Sequence, residues 1–244
     1  MTTALAGETT VMSWNIAGGA LDAGSEAWAD HVSMSLADLV GMQEVCWYQV
    51  DDIEAALEDR TGDDWISHFG VADTTSWSCP GNFGQAMFVK SHLMPREWFS
   101  DVYPKENGCD VDAEERAFQA VTVTLGGTAV RVFNTHLATS GNGGCQASIL
   151  LRQATHWPNS IVMGDFNMRT NHPSIAEWTT AGFRNMHPNS YFTATNTPGD
   201  CAANPTVKID YIWVKGSITK DFNLVPLCND ASDHRALVAG VRTP

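Results

Sequence analysis

The sequence predicts an α/β fold with mixed or antiparallel sheets, in which strands outnumber helices. Three observations carry that expectation. Short apolar segments that alternate or run unbroken recur along the chain, far more often than segments with helical spacing. Two of them are joined by Gly126-Gly127, a two-residue hairpin signal. Finally, 244 residues that are 43% hydrophobic and only 17% charged can bury a sizeable core, and no composition break reads as a linker.

The elements follow in order. Residues 10–16 alternate like a strand and stop at Ala17-Gly18-Gly19, a turn signal. Residues 28–36 are spaced as a helix, and 39–45 read as a mostly buried strand. Over 50–57, Val50, Ile53, Ala56 and Leu57 share one helical face. Residues 85–90 form a further strand. Residues 118–125 alternate with period two, and 129–135 return after the hairpin turn. A helix is expected over 146–155 and a short strand over 160–164, just before Asp165. Strands over 209–214 and 236–241 close the pattern. Stretches rich in Pro, Gly and Asn at 78–84, 140–144 and 196–205 are expected to be surface loops. There is no internal repeat, so residues 1–9 read as an extension and 10–244 as one domain.

Charge excludes some functions. Twenty-eight acidic against 14 basic residues give a net charge of −14, with no Lys/Arg run. Such a chain does not hold nucleic acid by charge alone, but it can meet a polyanion locally through a metal. No apolar run approaches the ~20 residues of a membrane span, so no stable membrane insertion is expected. The opening Met1-Thr2-Thr3-Ala4-Leu5 lacks the basic and apolar regions of a signal peptide. Six dispersed cysteines without a Cys-x-x-Cys suit structural disulfides rather than a zinc ribbon. With few lysines and an acidic balance, they predict a secreted protein whose leader has been removed. Cys201 and Cys228 flank the strand that carries Asp210 and are expected to pair. Cys79 is then expected with Cys109, and Cys46 with Cys145.

Polar residues end several of the apolar strands: Asn15, Glu44, His136, Asp165 with Asn167, Asp210, and Asp233 with His234. One such ending is ordinary as a solvated terminus or an Asx turn. So many in one chain point to a common face where a scaffold presents side chains. Glu44, Asp165, Asn167 and Asp233 offer only oxygen ligands, which suits a hard cation such as Mg²⁺ rather than zinc. His136 and His234 can carry protons near neutral pH, with Asp210 orienting one of them. No serine elbow, P-loop or Gly-x-Gly-x-x-Gly is present, so water is the expected nucleophile, and metal-assisted phosphoester hydrolysis is the natural reaction.

Six segments then occur in a familiar order: Ser13-Trp14-Asn15-Ile16, Gly41-Met42-Gln43-Glu44-Val45, Asn134-Thr135-His136-Leu137, Gly164-Asp165-Phe166-Asn167, Ile209-Asp210-Tyr211-Ile212 and Ser232-Asp233-His234. Over about residues 10–242 the chain resembles the endonuclease/exonuclease/phosphatase superfamily, of the deoxyribonuclease I-like kind. The resemblance implies a four-layer α-β-β-α sandwich of two mixed β-sheets. It implies Glu44 as the principal metal ligand with Asn15 and Asp233 beside it, holding Mg²⁺ (or Mn²⁺ or Ca²⁺). Asp165 and Asn167 match the pair that orients the nucleophile or steadies the phosphate. His136 and His234 match the catalytic histidines, Asp210 the acid behind the second, and Arg116 a phosphate-contacting arginine.

Two departures bear on substrate. Duplex-cleaving relatives carry an arginine two positions after the metal glutamate, where this chain has Cys46. They also carry a glutamate behind the first histidine, whereas Asn82-Phe83-Gly84-Gln85-Ala86 offers no acid. The expectation is a monomeric, secreted, Mg²⁺-dependent endonuclease acting on DNA. The alternatives are a sphingomyelinase or phospholipase C-type phosphodiesterase, a phosphomonoesterase, a catalytic toxin subunit and an inactive binding module.

Overall fold

A computed structural model describes residues 8–19, 23–74, 79–105, 109, 115–139, 141–187, 193, 207–224 and 231–244. The expected loop at 196–205 and the expected Cys201–Cys228 bridge lie outside them.

The described residues form twelve strands and four α-helices. β1 (Glu8–Asn15), β2 (Leu39–Cys46), β3 (Trp65–Asp73), β4 (Phe83–Lys90), β11 (Thr219–Leu224) and β12 (Leu237–Arg242) make one sheet, ordered β11-β12-β1-β2-β4-β3. β5 (Arg96–Val102), β6 (Ala117–Leu125), β7 (Thr128–His136), β8 (Ser160–Asp165), β9 (Arg184–Asn185) and β10 (Asp210–Lys215) make the other, ordered β5-β6-β7-β8-β10-β9. Each sheet is antiparallel except for one central pair, β1 with β2 and β7 with β8. Parallel neighbours need a crossover. Helix α1 (Ser25–Met34) supplies the first and α3 (Gly143–Thr155) the second. Helices α2 (Val50–Thr61) and α4 (Pro173–Thr180) complete the outer layers.

Three apolar clusters hold the layers together. Val11, Leu39, Val121, Val132, Ile161 and Ile212 belong to the seam between the sheets. Trp14, Trp28, Val32, Ile53 and Leu57 pack α1 and α2 on the first sheet. Phe133, Leu150, Phe166, Trp178 and Trp213 pack α3 and α4 on the second. The four-layer sandwich is therefore present. Local signals set the helix ends: Gly62 closes α2 in the left-handed conformation at φ 70°, and Pro173 opens α4 after an His172 cap.

The eight strands with clear apolar patterns are the interior strands of both sheets. The four without one, β3, β5, β9 and β11, are the four sheet edges. α3 also starts earlier than its apolar spacing suggests, taking Gly143 and Gly144 from the expected loop, and Phe83-Gly84 begins β4.

The disulfide expectation needs correcting. Cys46 pairs with Cys79, and Cys109 with Cys145. β2 and β4 are neighbours with Cys46 opposite Phe83, so the segment entering β4 runs past Cys46 and delivers Cys79 to it. Gln146 Nε2 donates to Cys109 O at 3.0 Å, which fixes Cys109 at the start of α3 beside Cys145. Each bridge closes a loop of more than 30 residues, spanning 33 and 36 positions, and contributes roughly 2–4 kcal/mol.

His31 on α1 is buried against Trp14, ring centroids 4.7 Å apart, and burial holds its pKa below 6.5. The unfolded chain therefore takes up this proton first as pH falls. The resulting stability is complete above pH 6.5 and is lost toward the lower folded value. The melting temperature is expected to fall between about pH 7 and pH 5. It should fall less steeply in His31→Phe, and an unchanged slope would contradict this account.

Candidate active site

Strand register gathers the polar endings. In the second sheet His136 of β7 lies opposite Asp165 of β8, and Asp165 lies opposite Asp210 of β10, so the three form one row. In the first sheet Asn15 ends β1 opposite Gln43, with Glu44 next on β2. Both parallel pairs point their carboxyl ends to this rim, where open α/β sheets place ligands.

The backbone is bent to suit. The β2–β4 ladder shifts register between Gln43 and Val45, a bulge that turns Glu44 out of the strand pattern. Glu44, Asn167 and Ala17 all take positive φ, at 59°, 50° and 49°. Non-glycine residues adopt this at a cost of ~1–3 kcal/mol each, and such strain clusters at working sites. Gly164 precedes Asp165 because a Cβ there would lie 2.0 Å from Thr135 O of the neighbouring strand.

Asp165 is the hub. Its Oδ1 accepts the Asn167 backbone N–H at 2.8 Å and its Oδ2 accepts Asn15 Nδ2 at 3.2 Å. The same Asn15 amide donates to Glu44 Oε1 at 3.0 Å, while Asn15 Oδ1 accepts the Ala17 N–H. Asn15 thus brackets two carboxylates. Asp165 Oδ2 also lies 3.6 Å from His136 Nε2 and 3.7 Å from His234 Nε2. His234 commits Nδ1 to Asp210, at 3.0 Å from Oδ2 and 3.2 Å from Oδ1.

These neighbours set the charges. Burial opposes ionisation of Asp165, Asp210 adds repulsion, and its pKa rises to about 7. Burial alone would lower the His234 pKa, but Asp210, Asp165 and Asp233 outweigh it and raise it to about 10. His136 goes the other way, well below the usual imidazole value, through burial and the nearby Arg116 and His234. Arg116 Nη1 sits 3.0 Å from His136 Nδ1 and 3.1 Å from Nε2, and Asn167 Nδ2 lies 3.1 Å from Nε2.

Asp165, Asp210 and His234 each offer a ligand atom within 4.8 Å of the others. Because the His234–Asp210 hydrogen bond already engages this group, the donors better suited to a hard cation are elsewhere. Glu44 is 30% exposed at the rim, and the buried Oδ1 of Asp233 has no hydrogen-bond partner. The Ser232 hydroxyl donates to Asn15 O at 2.6 Å and accepts the His234 N–H at 3.0 Å, which ties the Asp233 turn to β1. Oxygen-only donors with one orphaned carboxylate atom suit a hard divalent cation.

Sequence reasoning passed over the layer beneath. Gln43 Nε2 donates to Asn134 Oδ1 at 2.7 Å, and Asn134 Nδ2 lies 3.1 Å from Gln119 Oε1 and 3.0 Å from Met42 O. These buried amides bridge the sheets directly under Glu44 and His136. Their signal was a polar residue inside an apolar strand, with Gln43 one position before Glu44 and Asn134 two before His136. Lys208 is also buried, over the Tyr211 ring, and burial lowers its pKa to about 8.

Residues 12–234 match the model of the Endonuclease/Exonuclease/phosphatase family. No curated protein matches the sequence. Among solved structures, an endonuclease/exonuclease/phosphatase family protein from Bacteroides thetaiotaomicron has a TM-score of 0.80 at 16% identity, covering 97% of this chain and 98% of its own. A mannosyl-6-phosphatase from the same species has a TM-score of 0.78 at 18% identity, covering 96% and 99%. D. rerio TDP2 with a single-strand DNA product has a TM-score of 0.71 at 16% identity, covering 97% and 99%.

Proposed function

The chain belongs to the endonuclease/exonuclease/phosphatase family, whose members are phosphoester hydrolases, and on that premise we propose a secreted, Mg²⁺-dependent phosphodiesterase that cleaves the DNA backbone. The observation that carries the reading is the Asp165 carboxylate, oriented by Asn15 and Asn167 and flanked by both histidines. Such a group faces a water and a phosphate together.

Glu44 and Asp233 would hold the cation, with Asn15 beside them fixing the Glu44 rotamer. When bound, the ion offsets charge developing on the phosphoryl oxygens. The proton of the attacking water passes to Asp165, while His234, held as an imidazolium by Asp210, steadies the charge beside it. His136 stays neutral and hydrogen-bonds a non-bridging oxygen, with Arg116 behind it and Asn167 alongside. The P–O bond to the leaving group breaks, solvent supplies the proton to the departing oxygen, and the phosphodiester becomes a phosphomonoester and an alcohol.

Two bridges, Cys46–Cys79 and Cys109–Cys145, support an extracellular setting. Among the described residues no helix is long and apolar enough to cross a membrane. A phosphomonoesterase is the second reading, favoured by the likeness to the mannosyl-6-phosphatase. The test is a panel of supercoiled plasmid, single-stranded DNA, RNA, sphingomyelin and mannose 6-phosphate, each with Mg²⁺ and with chelator. DNA cleavage that needs Mg²⁺ is expected. Intact DNA alongside hydrolysed sphingomyelin or sugar phosphate would overturn the nuclease reading and leave the family standing.

A further inference from the structure

We propose that Trp47 and Tyr48 form a stacking platform for an unpaired nucleobase, so that the enzyme selects single-stranded over intact duplex DNA. The inference rests on the nuclease reading of the site and names its substrate more closely. Trp47 is 55% exposed and Tyr48 50% exposed. They stand three and four positions after Glu44, on a 3-10 turn spanning Trp47–Gln49. Three residues of chain reach at most ~11 Å, so the backbone of the turn lies within that distance of Glu44.

The turn is fixed rather than loose. Cys46, just before it, is fully buried and bridged to Cys79. Trp47 N donates to Asn82 O at 3.0 Å, and its ring packs edge-on against Phe69 at 5.5 Å. Gln49 accepts the Cys46 N–H at 2.8 Å and donates to Gly18 O at 2.9 Å, while Gly18 N donates to Glu44 O at 2.9 Å. A Cβ at Gly18 would lie 2.8 Å from the backbone oxygen of Glu44, so glycine lets this clasp close. The aromatic turn is thereby locked to the loop that follows Asn15.

Charge selects the occupant. The chain carries −14, and exposed Asp51 and Asp52 follow directly at the start of α2. This surface repels phosphates, so affinity must come from the faces of bases, which aromatic side chains stack on without regard to sequence. Paired bases keep their faces covered. With Cys46 buried in a disulfide, no groove-reaching side chain stands at that position to engage a duplex instead.

The experiment compares a single-stranded oligonucleotide with one of the same length in which the bases are removed and the backbone kept. In Trp47→Ala/Tyr48→Ala the ratio of kcat/KM for the intact over the abasic strand is expected to fall on the order of 10-fold, mainly through KM. Trp47→Phe/Tyr48→Phe should restore most of it. An unchanged ratio overturns the platform while leaving the nuclease reading intact. Binding is read separately in chelator, as the Trp47 fluorescence obtained by difference from Trp47→Phe. Quenching by the intact strand and not the abasic one is expected. If the wild type cleaves no nucleic acid, the nuclease reading falls and this quenching alone decides the platform. Absence of quenching, or quenching by sphingomyelin vesicles instead, overturns it.

Discussion

Asp210→Asn is expected to lower turnover on the order of 10²–10⁴-fold without changing the far-ultraviolet circular dichroism. The amide is isosteric with the carboxylate but cannot stabilise an imidazolium, and Asp210 contacts His234 Nδ1 through both oxygens at 3.0 and 3.2 Å. His234→Ala should cost a similar factor. Since the two act as one unit, the double variant should lose far less than the product of the single losses. Titration of the ring supplies an independent readout. In metal-free wild type, His234 should stay protonated to about pH 10. Its pKa should drop markedly in Asp210→Asn, where the largest favourable charge is gone. Near-normal turnover in either single variant would remove that residue from the mechanism.

The interior of this fold was legible because interior strands are buried on both faces and must be apolar. β1, β2, β4, β6, β7, β8, β10 and β12 all show this in sequence. Edge strands escape the requirement. β5 reads Arg-Glu-Trp-Phe-Ser-Asp-Val and is mostly exposed, and β9 has only two residues, so neither leaves a pattern. α4 is short and buries little beyond Ile175 and Trp178.

The site was legible for the converse reason: Asn15, Glu44, His136, Asp165 and Asp210 are polar endings on apolar strands. Their relation was not, because it depends on register and on the bulge that turns Glu44. Nor did sequence reveal that Asn15 presents its Nδ2 to both carboxylates, or that Arg116 stands against His136. The pairing expected among Cys46, Cys79, Cys109 and Cys145 failed because separation along the chain says nothing about which strands are neighbours. Cys46 meets Cys79 only because β2 and β4 pair.

The second large effect is expected at Glu44. Glu44→Gln keeps the shape and the acceptor for Asn15 but removes the charge that holds the cation, so turnover should fall at least ~100-fold. The strained φ of 59° belongs to the bulge backbone rather than to the carboxylate, so the fold should survive. Raising Mg²⁺ should recover little activity if binding affinity is not the sole loss.

The most direct test of the account is cleavage of a single-stranded oligonucleotide, timed for wild type and Glu44→Gln across a Mg²⁺ titration that begins in excess chelator. The account predicts no wild-type turnover in chelator, recovery on adding Mg²⁺, and a Glu44→Gln rate at least ~100-fold lower at every Mg²⁺ concentration where the wild type turns over. Full wild-type activity in chelator, or a Glu44→Gln rate equal to wild type, would contradict it.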